Sequence, residues 1–250
     1  IIITLLSSGI LNNMMISNKI IKVPSYIYMY VYICLSLLMI TTKAFWVILI
    51  INLLLILLFR ELIQLAGTNN KTNLFNSGFF IGTMTIINFK FIIFYMLGVF
   101  ALLYYKNFNW KSVMAQMIGF INPLILFFAF QMILYGNIIS PQYNLEFTFT
   151  NLKVSIIAWL VLILFSIKEL YQSFYKKTIY SRKVFILLNF ILAIVFVQIL
   201  LGNFSDFIFL AILPFTIIIT NYLIYFKYPR FRTFLLGLLF ILFLFDNFII

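Results

Sequence analysis

The sequence predicts an all-α fold, a polytopic bundle of transmembrane helices with about ten spans. Three observations carry this. Of 250 residues, 65% are hydrophobic and 9% charged, whereas a soluble domain is about half apolar and a quarter charged. The apolar residues fall into long runs separated by short polar breaks. The basic residues gather in alternate breaks, as loops that set membrane orientation do.

The apolar runs are about 1–11, 24–40, 44–59, 78–87, 91–105, 111–135, 154–167, 184–201, 205–226 and 234–250. A helix needs about 20 residues to cross about 30 Å of hydrocarbon, so several are short. The first run has neither a basic leader nor a small-residue cleavage site and reads as the tail of a longer span. The chain is thus expected to be a single integral membrane domain, 1–250, that lacks its N-terminal spans. The pair 78–87 and 91–105 reads either as two short spans or as one helix broken near Asn88-Phe89-Lys90. Pro123 and Pro214 sit inside runs and are expected to kink or break them. Gly78 and Gly82 form a small-xxx-small pair, which predicts close helix approach.

Charge orders these runs. Loops 12–23, 60–77, 106–111, 168–183 and 227–233 together carry fourteen of the seventeen Lys and Arg, and only Lys43, Lys90 and Lys153 fall in the other breaks. The positive-inside rule assigns the first set to the cytoplasm and the C-terminus to the outer side. If 78–87 did not span, 168–183 and 227–233 would lie opposite 12–23 and 60–77. The alternation therefore supports ten spans, the first incomplete. The expected location is a bacterial inner membrane.

Composition also limits the chemistry. There is no His, one Cys (Cys34) and five Asp or Glu. Catalysis by Ser-His-Asp or Cys-His is excluded, and the commonest zinc, haem and copper ligands are missing. No cofactor and no metal site is expected. The net charge of +12 has no basic stripe outside the apolar frame, so nucleic acid is not an expected partner.

The candidate residues are few. Glu146 lies mid-way along 136–153, the longest outer loop, where Tyr143, Leu145, Phe147 and Phe149 alternate with polar residues. The loop could fold over the membrane mouth and present a carboxylate there, or simply rest its aromatics on headgroups. Asp206 and Asp246 lie near outer helix ends. A carboxylate within a span is a functional candidate, though Asp206 could equally favour a helix N-terminus. These three acids are the catalytic candidates. In 167–183, Leu170, Tyr171, Phe174 and Tyr175 recur at helical spacing among Lys176, Lys177, Arg182 and Lys183. That is a cytoplasmic amphipathic segment suited to anionic headgroups, and a loop that only sets topology would look the same. Asn52, Gln116, Asn122, Gln131, Asn189, Gln198 and Asn221 read as interhelical hydrogen-bonding groups.

Residues 73–82 (NLFNSGFFIG), 108–111 (FNWK) and 119–123 (GFINP) resemble a family of polytopic inner-membrane proteins of Bacteroidota that is defined only as a domain of unknown function. The resemblance is strongest from Lys71 to about Tyr135 and implies no activity. Behind it stands a likeness to membrane glycosyltransferases of the C superfamily, carried by Ser77-Gly78, Gly82, the break at Lys106–Lys111 and Pro123. That likeness implies a polyprenyl-phosphate-linked sugar as donor.

Three functions follow for testing. The first is a non-catalytic component of an envelope complex, with membrane lipid and a membrane protein as partners. The second is a transferase using a lipid-linked sugar at the outer face, with Glu146 or Asp206 as base. The third, a channel or transporter, suits the sparse polar inventory least.

Overall fold

The computed structural model describes residues 2–18, 20, 25–37, 45–67, 70–136, 154–201, 208–225 and 229–248. Among them every regular element is helical. The α-helices are α1 (Ile2–Ser17), α2 (Ile27–Leu37), α3 (Phe45–Gln64), α4 (Lys71–Ile87), α5 (Tyr95–Tyr104), α6 (Trp110–Tyr135), α7 (Val154–Ser173), α8 (Ile179–Leu201), α9 (Ile212–Tyr225) and α10 (Pro229–Phe248). Short 3-10 turns, Phe89–Phe94 and Ile208–Ala211, lead into α5 and α9. Among the described residues, three helices are long and apolar enough to cross a membrane, over Trp46–Gln64, Trp110–Tyr135 and Ile179–Leu200. At 1.5 Å per residue the ten residues of α5 reach only about 15 Å.

Several helices outrun their apolar stretches. The expected break at 60–77 is mostly helix: α3 continues to Gln64, and α4 starts at Lys71, where Asn70 Oδ1 accepts from the Thr72 amide at 3.1 Å. The break at Asn88 is real. Its extended backbone ends α4, and its side chain accepts from the Lys90 amide at 3.0 Å to start the 3-10 turn. Pro123, expected to kink or break its run, lies within the unbroken α6, and Pro214 is the third residue of α9. The first turn of a helix tolerates proline, because its N–H groups lack intrahelical partners anyway.

Burial divides the helices into two kinds. From Ile212 to Ile224 only Phe215 and Tyr222 of α9 are not fully buried; it packs against α2 and α7 and touches α3 and α8. Helix α6 is the opposite. Its buried residues are Ser112, Gln116, Gly119, Pro123 and Gln131, while Ile118, Ile121, Ile125, Leu126, Phe128 and Ile133 are exposed. A helix at the surface of a water-soluble protein turns its apolar stripe inward; α6 turns small and polar residues inward and apolar ones outward.

That inward stripe lies on α4, with the two backbones in close approach. A β-carbon on Gly78 would overlap the Gln116 carbonyl oxygen and lie 2.8 Å from the Phe120 amide nitrogen. One on Gly82 would meet the Phe120 carbonyl oxygen and come within 2.6 Å of Pro123 Cγ, and one on Gly119 would overlap the Phe75 carbonyl. The small-residue pair read from sequence is therefore where two backbones touch.

Candidate functional site

The two ends of the helices differ in chemistry. At one end, hydrogen bonds join segments distant in sequence. The Tyr180 hydroxyl lies 3.2 Å from both Asn18 Oδ1 and the Ile63 carbonyl, two acceptors for its one proton. Ser181 Oγ donates to the Ile20 carbonyl at 2.9 Å, and Asn107 Nδ2 to the Leu65 carbonyl at 3.1 Å. Lys183 Nζ lies 5.5 Å from the Tyr105 ring centre. Breaks 12–23, 60–77, 106–111 and 168–183 thus meet at one end.

The four basic residues of 167–183 do not form one exposed patch. The segment is the end of α7, a 3-10 turn over Phe174–Lys176 and the start of α8. Leu170 is buried, Phe174 half-buried, and Tyr171 and Tyr175 exposed. Lys176 is exposed, whereas Lys177 turns inward and donates to Asn221 Oδ1 at 2.7 Å. Its ammonium lies 4.8 Å from the Phe185 ring centre and 5.1 Å from that of Tyr225. Burial pushes Lys177 down to about 8, and the Glu169 carboxylate opposes that shift. Arg182 is half-buried, with Nε sealed and without a hydrogen-bond partner among the described residues.

Along α8, Gln198 lies eighteen residues from Tyr180, about 27 Å at 1.5 Å per residue. Here Gln198 Nε2 donates to the Lys90 carbonyl at 3.0 Å. Lys90, outside the basic set in the sequence, is therefore at the far end. Beside it a groove of about 810 Å³ opens between the 3-10 turn, α5, α6 and α8. Phe89, Ile92, Met96, Met117, Phe120 and Ile121 make most of its wall, and Lys90, Tyr95 and Gln198 bring the polar groups. The volume and the largely apolar lining fit a small-molecule or lipid-chain site.

Two residues that line this groove each hold a polar atom that is sealed from it and lacks a partner. Gln198 is 4% exposed, and with Nε2 committed to Lys90 its Oε1 has no hydrogen-bond partner among the described residues. The Tyr95 hydroxyl is sealed and likewise unpaired, with its ring edge-on to Phe120 at 5.6 Å. Such orphan groups cost free energy and call for an explanation. A third orphan is the Gln116 amide, wedged against Gly98 at the contact of α5 and α6.

Of the acidic candidates, Glu146 and Asp206 lie outside the described residues, and Asp246 falls in α10 with its side chain outside the description. Among the described residues no cluster of three or more metal-ligating side chains occurs. Gln198, expected to be an interhelical hydrogen-bonding group, fulfils that role in its bond to Lys90, and Tyr95 carries no distinguishing signal in the sequence. The groove left no sequence signal, since its walls come from 89–96, 113–121 and 198. No protein-family profile, curated protein or solved structure matches the chain.

Proposed function

We propose that the protein is a polytopic transmembrane component of an envelope complex, without catalytic activity of its own, in the inner membrane of a Bacteroidota organism. The observation that carries this reading is α6, with small and polar residues turned inward and bulky apolar ones outward. Such a surface suits lipid or a partner helix, where packing replaces the hydrophobic effect. The meeting of four lysine- and arginine-bearing segments at one end supports a cytoplasmic face there. The 3-10 turn and α5 together rise about 27 Å, near the thickness of the hydrocarbon core. That length favours ten spans over fewer and an outer C-terminus.

The groove favours a second reading, a transferase that takes a polyprenyl-phosphate-linked sugar, with Glu146 or Asp206 as its base. Native mass spectrometry of the protein, extracted from its own membrane in mild detergent, separates the two. A stoichiometric protein partner is the expected result. A polyprenyl-phosphate lipid in place of a partner, with function lost in Glu146→Gln, overturns the first reading in favour of the second.

A further inference from the structure

The turn between α5 and α6 sets free lysines among exposed aromatic rings. The Lys106 amide donates to the Leu103 carbonyl at 3.2 Å and the Asn107 amide to the Leu102 carbonyl at 3.0 Å, closing α5 with a left-handed residue, Lys106, at φ 57°. Glycine or asparagine is the usual occupant of such a position, because a larger side chain crowds the backbone there. A lysine held there at a backbone cost points to a use for its side chain. Asn107 Nδ2, bonded to the Leu65 carbonyl, fastens the turn to the end of α3. Lys106, Phe108, Trp110 and Lys111 are exposed, and neither ammonium group has a partner among the described residues. Lys183 brings a third ammonium group to the Tyr105 ring beside them.

The surface that continues from this turn is apolar. Lys111, Met114, Ile118 and Ile121 recur at helical spacing along one face of α6, and all four are exposed. From Lys111 to Ile121 the helix rises about 15 Å, the depth of one leaflet of a hydrocarbon core about 30 Å thick. One end of the strip thus suits a phosphate and the rest suits an acyl chain. Phe108 and Trp110 match the headgroup layer between them. An acidic protein segment would pair with the lysines and leave the apolar strip uncovered.

We infer that the α5–α6 turn and the adjoining face of α6 bind one anionic phospholipid, its phosphate held by Lys106 and Lys111 and an acyl chain along Met114, Ile118 and Ile121. The basic segment 167–183 turns Lys177 inward, whereas both lysines of this turn are exposed. The inference rests on the membrane-spanning reading, because a leaflet must supply the lipid.

The test uses the chain's three tryptophans, Trp46, Trp110 and Trp159. The whole chain carrying Trp46→Phe and Trp159→Phe is placed in liposomes of mixed phosphatidylglycerol and phosphatidylcholine, with bromine on the acyl chains of one or the other. Brominated lipid quenches an indole it touches, so Trp110 reports its neighbour. Trp110 is expected to select phosphatidylglycerol, and Lys106→Asn and Lys111→Gln are each expected to cut that preference about fivefold. Lys106→Asn should also raise the thermal midpoint, since asparagine tolerates the left-handed turn. A raised midpoint with unchanged lipid preference would make Lys106 merely structural and overturns the proposal. Trp46, at the other end of α3 from Ile63, is the control when Trp110 and Trp159 are replaced instead. An equal preference at Trp46, or quenching of Trp110 by neither lipid, overturns the proposal as well. Release of the chain from liposomes by alkaline carbonate overturns the membrane-spanning reading and the proposal with it. A chain that stays embedded while both lipids quench Trp110 equally overturns the proposal alone.

Discussion

Gly119→Ala in α6 adds one methyl group at the point where α6 meets α4. The new carbon would overlap the Phe75 carbonyl oxygen and lie 2.9 Å from its carbon and 3.0 Å from Phe75 Cα. Comfortable carbon–carbon contact is about 3.5–4.0 Å, and the obstructing atoms are backbone, which cannot swing aside. The helices must therefore part by roughly 1 Å, a gap that forfeits up to about half of each pairwise attraction across it. Overpacking of this kind costs about 1–3 kcal/mol, and we expect the upper half of that range because α4 and α6 touch along Gly78, Gly82 and Gly119 together. The same exchange has the opposite sign elsewhere. A β-carbon on Gly9 or Gly237, in α1 and α10, meets nothing within 4 Å, so Gly9→Ala and Gly237→Ala should stabilise by about 0.5–1 kcal/mol through helix propensity. Unfolding in mixed micelles, followed by helical circular dichroism, reads all three. Combining Gly78→Ala with Gly119→Ala should cost less than the sum, since the first parting relieves the second. A Gly119→Ala protein as stable as Gly9→Ala would refute the close contact and the argument built on it.

Three further outcomes follow. Lys177 carries a proton less readily when folded, so the unfolded state binds more protons between pH about 8 and about 10.5, and stability should rise with pH across that window. Thermal unfolding of Lys177→Met should lose that rise, and a rise identical to wild type would remove Lys177 as its source. Gln116→Met replaces a buried, unpaired amide by an apolar chain of similar length, so it should be neutral or stabilising by about 1 kcal/mol; a loss above about 1 kcal/mol would show that the amide has a partner. Cys34 is the chain's only cysteine and is buried, so single-cysteine labelling is clean. Lys176→Cys and Phe108→Cys, both at exposed positions, should react only from the cytoplasm. Reaction of either from outside would reverse the orientation.

The parts of the fold that the sequence revealed share a physical reason. Alternation of charge survives whatever the helices do, because a lysine or arginine must stay out of hydrocarbon regardless of its neighbours. Charge alone groups the breaks at 12–23, 60–77, 106–111 and 168–183, and Asn18, Ile20, Ile63, Leu65, Asn107 and Tyr180 meet at one end. Gly78 and Gly82 were legible for a similar reason, since only close approach gives a pair of glycines one turn apart a purpose in a helix.

Helix ends were harder to read, because in this bundle polarity does not mark the surface. Asn73 and Ser77, in a stretch that reads as a loop, are buried in α4, where Ser77 Oγ donates to the Leu74 carbonyl at 2.7 Å. Ser112 and Gln116 face inward from α6 while Ile118 and Ile125 face out. Pro123 illustrates the same exchange of roles. An interior proline costs a backbone hydrogen bond, yet its ring sits over Gly82, where no side chain competes for the space. The residue expected to break the helix is part of what holds α6 to α4. A sequence pattern registers what each residue disfavours, and the partner that compensates for it lies some forty residues away on another helix.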